Sequence, residues 1–389
     1  MKDKFQSPTP KPKVKSQNQP PKATNQGSYF AARDEDNLAK IRQIVAALPP
    51  FVREFFVGIQ LKTTPLTRLN YAYDLRIFFD YLSKNVFEMP PETIKISDLE
   101  RLDAYDIELF LDYLSSYTFN NKKIKSNNTG KERKLSTIRS FFKYFFKKDK
   151  LTKNVTTKVD MPKLKDNPIV KLEPDEVAKL LNKIDSDGDE VTGLTKKQRA
   201  FHDRLKVRDN AIFTLFLGTG IRISELVGLN KSDIHFETNS FLVTRKGGSK
   251  SVLYFGDEIE TSLKNYINFI QNEIENGTSL GMRVADGGGF EGGSALFLSL
   301  QGKRITVRAV ENLVKKYAAL VTPKKITPHK LRSTFGTELY KNTQDIYVVA
   351  DVLGHKDINT TKKHYAAISD EIRKNAAKTV RLRDESGDE

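Results

Sequence analysis

Apolar residues recur at helical spacing through the first half of the chain. In NYAYDLRIFFDYL, Tyr71, Leu75, Phe78 and Leu82 follow one another at steps of four, three and four residues, which is the stripe of an amphipathic helix. The segments DAYDIELFLDYLSSY and LSTIRSFFKYFFKK repeat this pattern. Because no stretch of this half has a convincing strand pattern, residues 34–161 are predicted to form a small all-helical domain.

The second half mixes helical periodicity with one change of period. A helix is predicted to begin at Pro174, and another covers RDNAIFTLFLGTG. Residues 241–243 and 252–254 are apolar and flank a Gly-Gly turn, which predicts an antiparallel hairpin. Helices then return, interrupted by the glycine-rich DGGGFEGG, for which we expect a mobile loop. The fold class is therefore mainly α with a small antiparallel sheet in an α+β second domain, residues 174–389.

Two segments lack the residues that build a core. Residues 1–33 are rich in Pro, Lys, Gln and Ser, so they are predicted to be a disordered basic tail, with order beginning at Asp34. The stretch MPKLKDNPIVKLEPDE carries three prolines between two helical regions. Residues 162–173 are accordingly predicted to be an extended linker between the two domains.

The charge balance favours a polyanionic partner. The 389 residues include 65 Lys and Arg against 49 Asp and Glu, a formal charge of +16, which makes nucleic acid the first candidate and an anionic membrane surface the second. No apolar run approaches the roughly 18 residues of a membrane span, and the N-terminus has no apolar signal core, so we expect a cytoplasmic protein with no membrane partner. Without cysteine, and with five scattered histidines, no metal or cofactor is expected.

Cations crowd the last helices of the first domain. A solvated polar face is one explanation, and a contact surface for DNA phosphates is the other. The residues predicted to contact DNA are Lys122, Lys123, Lys125, Arg133, Lys134, Arg139 and Lys143.

Four short segments of the second domain carry residues suited to phosphate chemistry. In GTGIRISEL a helix is predicted to end at glycine and restart, leaving Arg222 at the junction. Lys246 lies at the tip of the predicted hairpin, where a flexible ammonium can reach into a cleft. In TPHKLRSTFGTEL, His329 and Arg332 lie three residues apart and so on one face of a helix start, where cations favour a bound anion.

The fourth segment is VLGHKDINTTKKHYAAI. Here His355 follows a glycine that ends a helix, and a new helix carries His364 and Tyr365. A tyrosine near a helix is ordinarily a packing residue, and none of the four segments is decisive by itself.

Together, in the order Arg, Lys, His-x-x-Arg, His, Tyr, they resemble the tyrosine recombinase and phage integrase family. The first arginine, the hairpin lysine and the H-x-x-R pair of that family match Arg222, Lys246, His329 and Arg332. Its LGH histidine matches His355, and its nucleophile matches Tyr365. The resemblance covers the region from about 174 onward strongly and 60–160 more loosely.

The resemblance implies cleavage and rejoining of DNA through a 3′-phosphotyrosine, without metal, cofactor or ATP. Arg222 and Arg332 would present planar charged forks to the non-bridging phosphate oxygens, which suits guanidinium better than ammonium. By resemblance, Lys246 is the general acid for the leaving 5′ oxygen, His329 assists proton transfer at Tyr365, and His355 bonds the phosphate.

Within the family the chain is most similar to Xer-type recombinases, particularly the kind that works without a second recombinase. ALPPFVREFF and LVTRKGGSKSV carry that similarity. Two departures stand out. The step from His355 to Tyr365 is one residue longer than the commoner Xer spacing, which would select His364, and Ser333 stands where Xer proteins often have histidine. We keep Tyr365, because a turn tolerates one added residue.

The resemblance also implies a C-shaped clamp on double-stranded DNA and a homotetramer joined through the C-terminal segment SDEIRKNAAKTVRL. Whether the enzyme also needs an accessory protein does not follow from the resemblance. Xer-like chromosome dimer resolution is the favoured role. The alternatives are the integrase of a mobile element, a type IB topoisomerase and, from another class, a DNA-binding regulator that does not cut.

Overall fold

The structure is a computed structural model that describes residues 26–164, 169–192, 194–245, 248–275, 284–285, 289–290, 294–355, 357–359 and 361–362. Over these ranges the chain is mainly helical, with small antiparallel sheets, as the pattern of apolar positions predicts. Among the described helices, none is long and apolar enough to cross a membrane.

The first domain is built around a core of phenylalanines. Phe78 and Phe110 meet edge to face with ring centroids 5.1 Å apart, and Phe55 meets Phe141 at 5.2 Å in the same way. These rings come from a helical array whose bounds are α1 Gln26–Ala46, α2 Val52–Gly58, α3 Pro65–Asn85, α4 Ile96–Leu99, α5 Ala104–Tyr113 and α6 Asn128–Phe146.

The prediction that this domain is wholly helical was wrong at one place. Strands β1 (Tyr117–Phe119) and β2 (Lys122–Ile124) form a short antiparallel hairpin. Asn120 and Asn121 adopt φ of 48° and 60°, the left-handed conformation at both central positions that a two-residue hairpin turn requires. Asparagine tolerates this conformation better than most residues, so the turn signal was present in the sequence.

The predicted tail also ends earlier than expected, because residues 26–33 belong to α1. Tyr29 packs against the core of the second domain, and the Arg304 guanidinium lies 5.0 Å from the centre of its ring. A Cβ placed on Gly228 would lie 2.8 Å from the ring of Phe30. These aromatic contacts with the second domain order a segment whose own composition is typical of disorder.

A helix begins at Pro174, as predicted, and the second domain surrounds a three-stranded antiparallel sheet in the order β3-β4-β5. The predicted hairpin is confirmed in register, with Phe241 opposite Leu253 and Val243 opposite Ser251. The strands are β3 Ile234–His235, β4 Ser240–Thr244, β5 Lys250–Tyr254, β6 Val284–Ala285 and β7 Gly289–Phe290, and the helices are α7 Pro174–Asp185, α8 Lys196–Thr219, α9 Ile223–Gly228, α10 Asp257–Glu275, α11 Val307–Ala318, α12 Pro328–Thr343 and α13 Ile346–Leu353.

The glycine-rich segment predicted to be a mobile loop is only partly described. Residues 286–288 and 291–293 lie outside the described ranges, while β6 and β7 pair antiparallel, with Val284 opposite Phe290. The part that the structure describes is therefore a minimal strand pair rather than a loop.

A polar network is buried inside the second domain. Arg208 donates to Asp209 at 2.7 Å and to the carbonyl of Leu298 at 2.9 Å. The Tyr317 hydroxyl donates to Asp209 at 3.1 Å, and His202 Nδ1 lies 2.8 Å from the same hydroxyl. We call these four side chains the Arg208 network. It joins α8 to α11 and gives the buried guanidinium a carboxylate partner.

Candidate active site at the carboxyl end of α13

Arg222 lies where two helices of the second domain meet. Helix α8 ends at Gly220, which adopts φ 61°, and Arg222 then caps the start of α9. Both the backbone N–H and the guanidinium of Arg222 donate to buried Glu225, at 3.0 and 2.8 Å. This junction is the one predicted from GTGIRISEL, and Glu225 fixes the direction of the arginine.

Helix α12 carries the His-x-x-Arg pair. Pro328 occupies its first turn, where the missing N–H costs nothing. His329 is exposed, whereas Arg332, almost one turn later, is 5% exposed. Arg332 donates to the backbone carbonyls of Gly220 and Leu353, and so ties α12 to the ends of α8 and α13.

Helix α13 ends in a glycine turn. Gly354 adopts φ 60° and donates its N–H to Asp351 at 2.8 Å, and His355 donates its N–H to Ala350 at 2.8 Å. These two bonds are the pattern by which a left-handed glycine closes a helix. They occupy the carbonyls of residues 350 and 351 and leave the next three for other donors.

Three arginines donate to those three consecutive carbonyls. Arg245 Nη2 donates to Val352 at 3.1 Å, Arg332 donates to Leu353, and Arg222 Nη2 donates to Gly354 at 2.9 Å. The last carbonyls of a helix carry partial negative charge, so cations are stabilised there. We call this arrangement the α13 carbonyl end. It brings strand β4, helix α12 and the α8–α9 junction to one point.

His355 follows the α13 carbonyl end directly in the chain. Its Nδ1 lies 2.8 Å from the hydroxyl of Thr361, which is fully buried. A hydrogen bond to one ring nitrogen fixes the orientation of the imidazole and the role of the other nitrogen. Thr361 therefore orients His355 beside the arginines.

The electrostatics of the α13 carbonyl end favour an anion. Glu225 offsets part of the charge of Arg222, but the carbonyl oxygens that accept from Arg245 and Arg332 are neutral, so these contacts do not cancel the guanidinium charges. Burial lowers the pKa of Arg245, nearby Glu225 opposes this effect, and Arg222 lowers the pKa further. Planar guanidinium groups match the geometry of phosphate oxygens.

The structure thus unites part of the predicted site. Arg222, Arg332 and His355 meet at the α13 carbonyl end, and His329 lies on the same helix as Arg332. Lys246 and Tyr365, with the alternative nucleophile His364, lie outside the described residues. Arg245 was not predicted, since a strand-end arginine beside a turn resembles any solvated residue.

The predicted DNA-contacting cations differ in their surroundings. Lys122, Lys123 and Lys125 are exposed on and after β2, and Lys143 is exposed on α6. Their contact with DNA stays a prediction.

The three remaining members of that set make contacts within the protein. Arg133 pairs with buried Asp74 at 2.5 Å, and Arg139 donates to the carbonyl of Val159. Lys134 is buried and donates to Ser126 at 3.2 Å, and burial lowers its pKa.

The chain is similar to known recombinases over most of its length. The phage integrase family model matches residues 171–371. "Tyrosine recombinase XerC" of Caldanaerobacter subterraneus subsp. tengcongensis is 31% identical over 81% of this chain and 82% of its own length, and "Tyrosine recombinase XerD" of Staphylococcus epidermidis strain RP62A is 28% identical over 82% and 94%.

Solved structures share the fold. The XerH site-specific recombinase bound to a palindromic difH substrate, in a post-cleavage complex, has a TM-score of 0.56 at 19% identity, covering 81% of this chain and 80% of that one. A lambda integrase dimer bound to a COC′ core site has a TM-score of 0.54 at 15% identity, with 81% and 93% covered. This chain belongs to the phage integrase family and is a Xer-like site-specific tyrosine recombinase, an enzyme that cleaves and rejoins DNA.

Proposed function

We propose that the chain recombines two double-stranded DNA sites with Tyr365 as nucleophile, and that its role is the resolution of chromosome dimers. The observation that carries the catalytic part is the convergence of Arg222, Arg332 and His355 on the α13 carbonyl end. Arg222 and Arg332 both donate to backbone carbonyls, which carry no net charge, so positive charge is available there for the oxygens of a phosphate.

In the proposed reaction the scissile phosphate lies against Arg222 and Arg332. Each guanidinium donates to the non-bridging oxygens, whose negative charge grows as the phosphorane forms. His355, oriented by Thr361, donates a further hydrogen bond to the phosphate. Because Glu225 and the α13 carbonyls already hold the arginines, little reorganisation is needed at the moment of reaction.

Two proton transfers accompany the reaction, and we assign each to a residue. The Tyr365 oxygen attacks phosphorus and loses its proton with the help of His329, while Lys246 gives a proton to the departing 5′ oxygen. The products are a 3′-phosphotyrosine and a free 5′ hydroxyl. A 5′ hydroxyl of the partner duplex reverses the step, so that rejoining needs no ATP, and no step requires a metal ion.

We further propose that both domains close on the duplex as a C-shaped clamp. The exposed cations Lys122, Lys123, Lys125 and Lys143 would contact phosphates, so binding should weaken steeply with salt. By resemblance, the active assembly is a tetramer joined through residues 369–382, which lie outside the described residues. The likeness to XerC over most of the chain supports chromosome dimer resolution and a cytoplasmic enzyme that works on the nucleoid.

Covalent trapping tests the nucleophile and finds the DNA site together. The full-length protein is incubated with sheared, nicked genomic DNA of its host in EDTA, the mixture is denatured, and the protein-linked DNA ends are sequenced. We expect adducts at one recurring sequence, with the modified peptide carrying Tyr365 by mass spectrometry. Tyr365→Phe should bind the recovered duplex with unchanged affinity and form no adduct, whereas His364→Ala should still form it.

An adduct on His364, or an undiminished adduct in Tyr365→Phe, would overturn the nucleophile. Loss of the adduct in EDTA would overturn the metal-free mechanism. Sites recovered near the terminus of replication support dimer resolution, and sites at the ends of a mobile element would replace that role with integration.

A further inference from the structure

Arg245 links the hairpin to the α13 carbonyl end. Its backbone N–H donates to Ser249 at 2.7 Å and its carbonyl accepts from Gly248 at 3.0 Å, so it closes the base of the turn between β4 and β5. Its side chain donates to Val352 at 3.1 Å, across 107 residues of sequence. Lys246 is the next residue in the chain.

The arginine is held by shape as well as by this bond. A Cβ on Gly354 would lie 1.4 Å from Arg245 Nη1 and 2.3 Å from Cζ, so the guanidinium packs directly against the backbone of the turn that precedes His355. Only glycine leaves that space. The contact therefore fixes the distance between the base of the hairpin and the end of α13.

Stability does not explain why an arginine occupies this place. The Nε and Nη1 atoms of Arg245 are buried and make no hydrogen bond within the part of the chain that the structure describes. A buried N–H without a partner costs about 1–3 kcal/mol, and the neighbouring charge of Arg222 adds repulsion. A buried group without a partner points to a role other than packing.

We propose that Arg245 is a positioning residue that fixes the Lys246 turn against the α13 carbonyl end, so that Lys246 reaches the leaving oxygen of the phosphate bound there. This inference rests on the proposed role of Lys246 as general acid. It assigns Arg245 no contact with DNA.

Sulfur in place of the leaving oxygen distinguishes this role from a general loss of structure. A thiol has a pKa near 8.5, far below that of an alcohol, so a thiolate departs without a proton. The full-length protein is given the duplex recovered by trapping, once with the natural phosphodiester and once with a 5′-bridging phosphorothiolate. The rate of covalent adduct formation is measured on both.

Arg245→Met keeps the apolar stem and removes the guanidinium. We expect it to cleave the natural duplex about 100-fold more slowly, because displacing a catalytic group by about 1 Å reduces the rate by about that factor. It should cleave the phosphorothiolate within about threefold of the rate of the unsubstituted enzyme. Arg245→Lys keeps one donor for Val352 and should lose less. Lys246→Ala should show the same rescue, whereas Arg222→Ala should be slow on both duplexes.

Arg304 supplies the matched control. It also donates to backbone carbonyls at the end of a helix, those of Val227 and Leu229 at the end of α9, at 2.9 and 2.8 Å. Arg304→Met should lower the thermal midpoint and leave the ratio of the two rates unchanged. If Arg245→Met is equally slow on both duplexes, or as fast as the unsubstituted enzyme on both, the positioning role is wrong while the function of the enzyme stands. If Lys246→Ala is not rescued, the general-acid assignment fails and the role of Arg245 fails with it.

Discussion

Two clusters of the second domain hold buried arginines in opposite ways. In the Arg208 network, the guanidinium faces the carboxylate of Asp209 at 2.7 Å, and the pair is closed inside the core. At the α13 carbonyl end, Arg245 and Arg332 donate to backbone carbonyl oxygens, and Arg222 donates both to the carbonyl of Gly354 and to the carboxylate of Glu225.

The difference separates a structural cation from a functional one. The charge of Arg208 is offset by the adjacent carboxylate, whereas the backbone carbonyls that accept from Arg332 carry no net charge to offset its own. The carbonyl oxygens fix the guanidinium planes without cancelling their charge. Burial alone does not distinguish these two arginines, since Arg208 and Arg332 are both nearly inaccessible.

Removing the carboxylate of the structural cluster should have the largest effect on stability. Asp209→Ala leaves Arg208 buried without its partner, and we expect the free energy of unfolding to fall by about 3–5 kcal/mol. Urea unfolding followed by far-UV circular dichroism measures this change. The double substitution Arg208→Met with Asp209→Leu should cost less than the single one, because no charge is left unpaired. A loss below about 1 kcal/mol in Asp209→Ala would contradict the structural role.

Replacing the guanidinium of the functional cluster should instead reduce catalysis. Arg332→Lys keeps the charge but replaces the planar fork that reaches Gly220 and Leu353 by a single nitrogen, so we expect adduct formation to slow by about 100-fold or more, with a smaller fall in the unfolding midpoint than in Asp209→Ala. The measurement is single-turnover cleavage of the recovered duplex. Unimpaired cleavage would mean that the fork geometry of Arg332 is not used.

Adding one methyl group should disturb the α13 carbonyl end. Gly354→Ala places a Cβ against Arg245 and forces a left-handed backbone that costs about 1–2 kcal/mol. We expect cleavage to slow about tenfold or more. In a double-mutant cycle with Arg245→Ala, the steric part should disappear and leave a coupling energy of about 1 kcal/mol or more. Strict additivity of the two substitutions would show that the two residues do not touch in solution.

The orienting hydroxyl should matter less. Thr361→Val keeps the shape of a fully buried side chain and removes the partner of His355 Nδ1. One hydrogen bond is worth about 1 kcal/mol, so cleavage should slow about fivefold. Thr361→Ser retains the hydroxyl and should cleave at close to the normal rate. Equal loss in both variants would assign the effect to packing.

We expect the smallest effect from replacing one exposed lysine of the first domain. Arg133 is paired with buried Asp74, whereas Lys123 is exposed on the hairpin. Lys123→Gln should weaken binding to all duplexes alike and lower the slope of log affinity against log salt by about 1. Fluorescence anisotropy at several salt concentrations gives that slope. No change in slope would remove Lys123 from the DNA-contacting set.

Sequence reasoning succeeded where local chemistry determines the structure. Pro174 and Pro328 begin helices, Gly220 and Gly354 end them, and the period change at 241–254 forms the hairpin, because each follows from a few adjacent residues. The family pattern then grouped Arg222, Arg332 and His355, and the structure brings these three residues together.

The failures have two kinds of cause. The sequence contained the signal for the hairpin turn at Asn120 and Asn121, since asparagine tolerates the left-handed conformation, but the turn was not predicted. Lys134 also had a signal, because it precedes Ile138 and Phe141 by four and seven residues and so lies on the buried face of α6. By contrast, the ordering of residues 26–33 and the role of Arg245 depend on contacts with distant parts of the chain. No local pattern carries that information.

Two of the three arginines reach the α13 carbonyl end across large sequence separations, 132 residues from Arg222 to Gly354 and 107 from Arg245 to Val352. Arg332 lies 21 residues from Leu353, and it also donates to Gly220, 112 residues away. We expect contacts of such separation to form after the local ones, because a long loop must first be closed. A nascent or partly unfolded molecule would therefore have its DNA-binding cations before it has the means to break a strand. In that order of events, the capacity to cut DNA arises only when the domain that must rejoin it is complete.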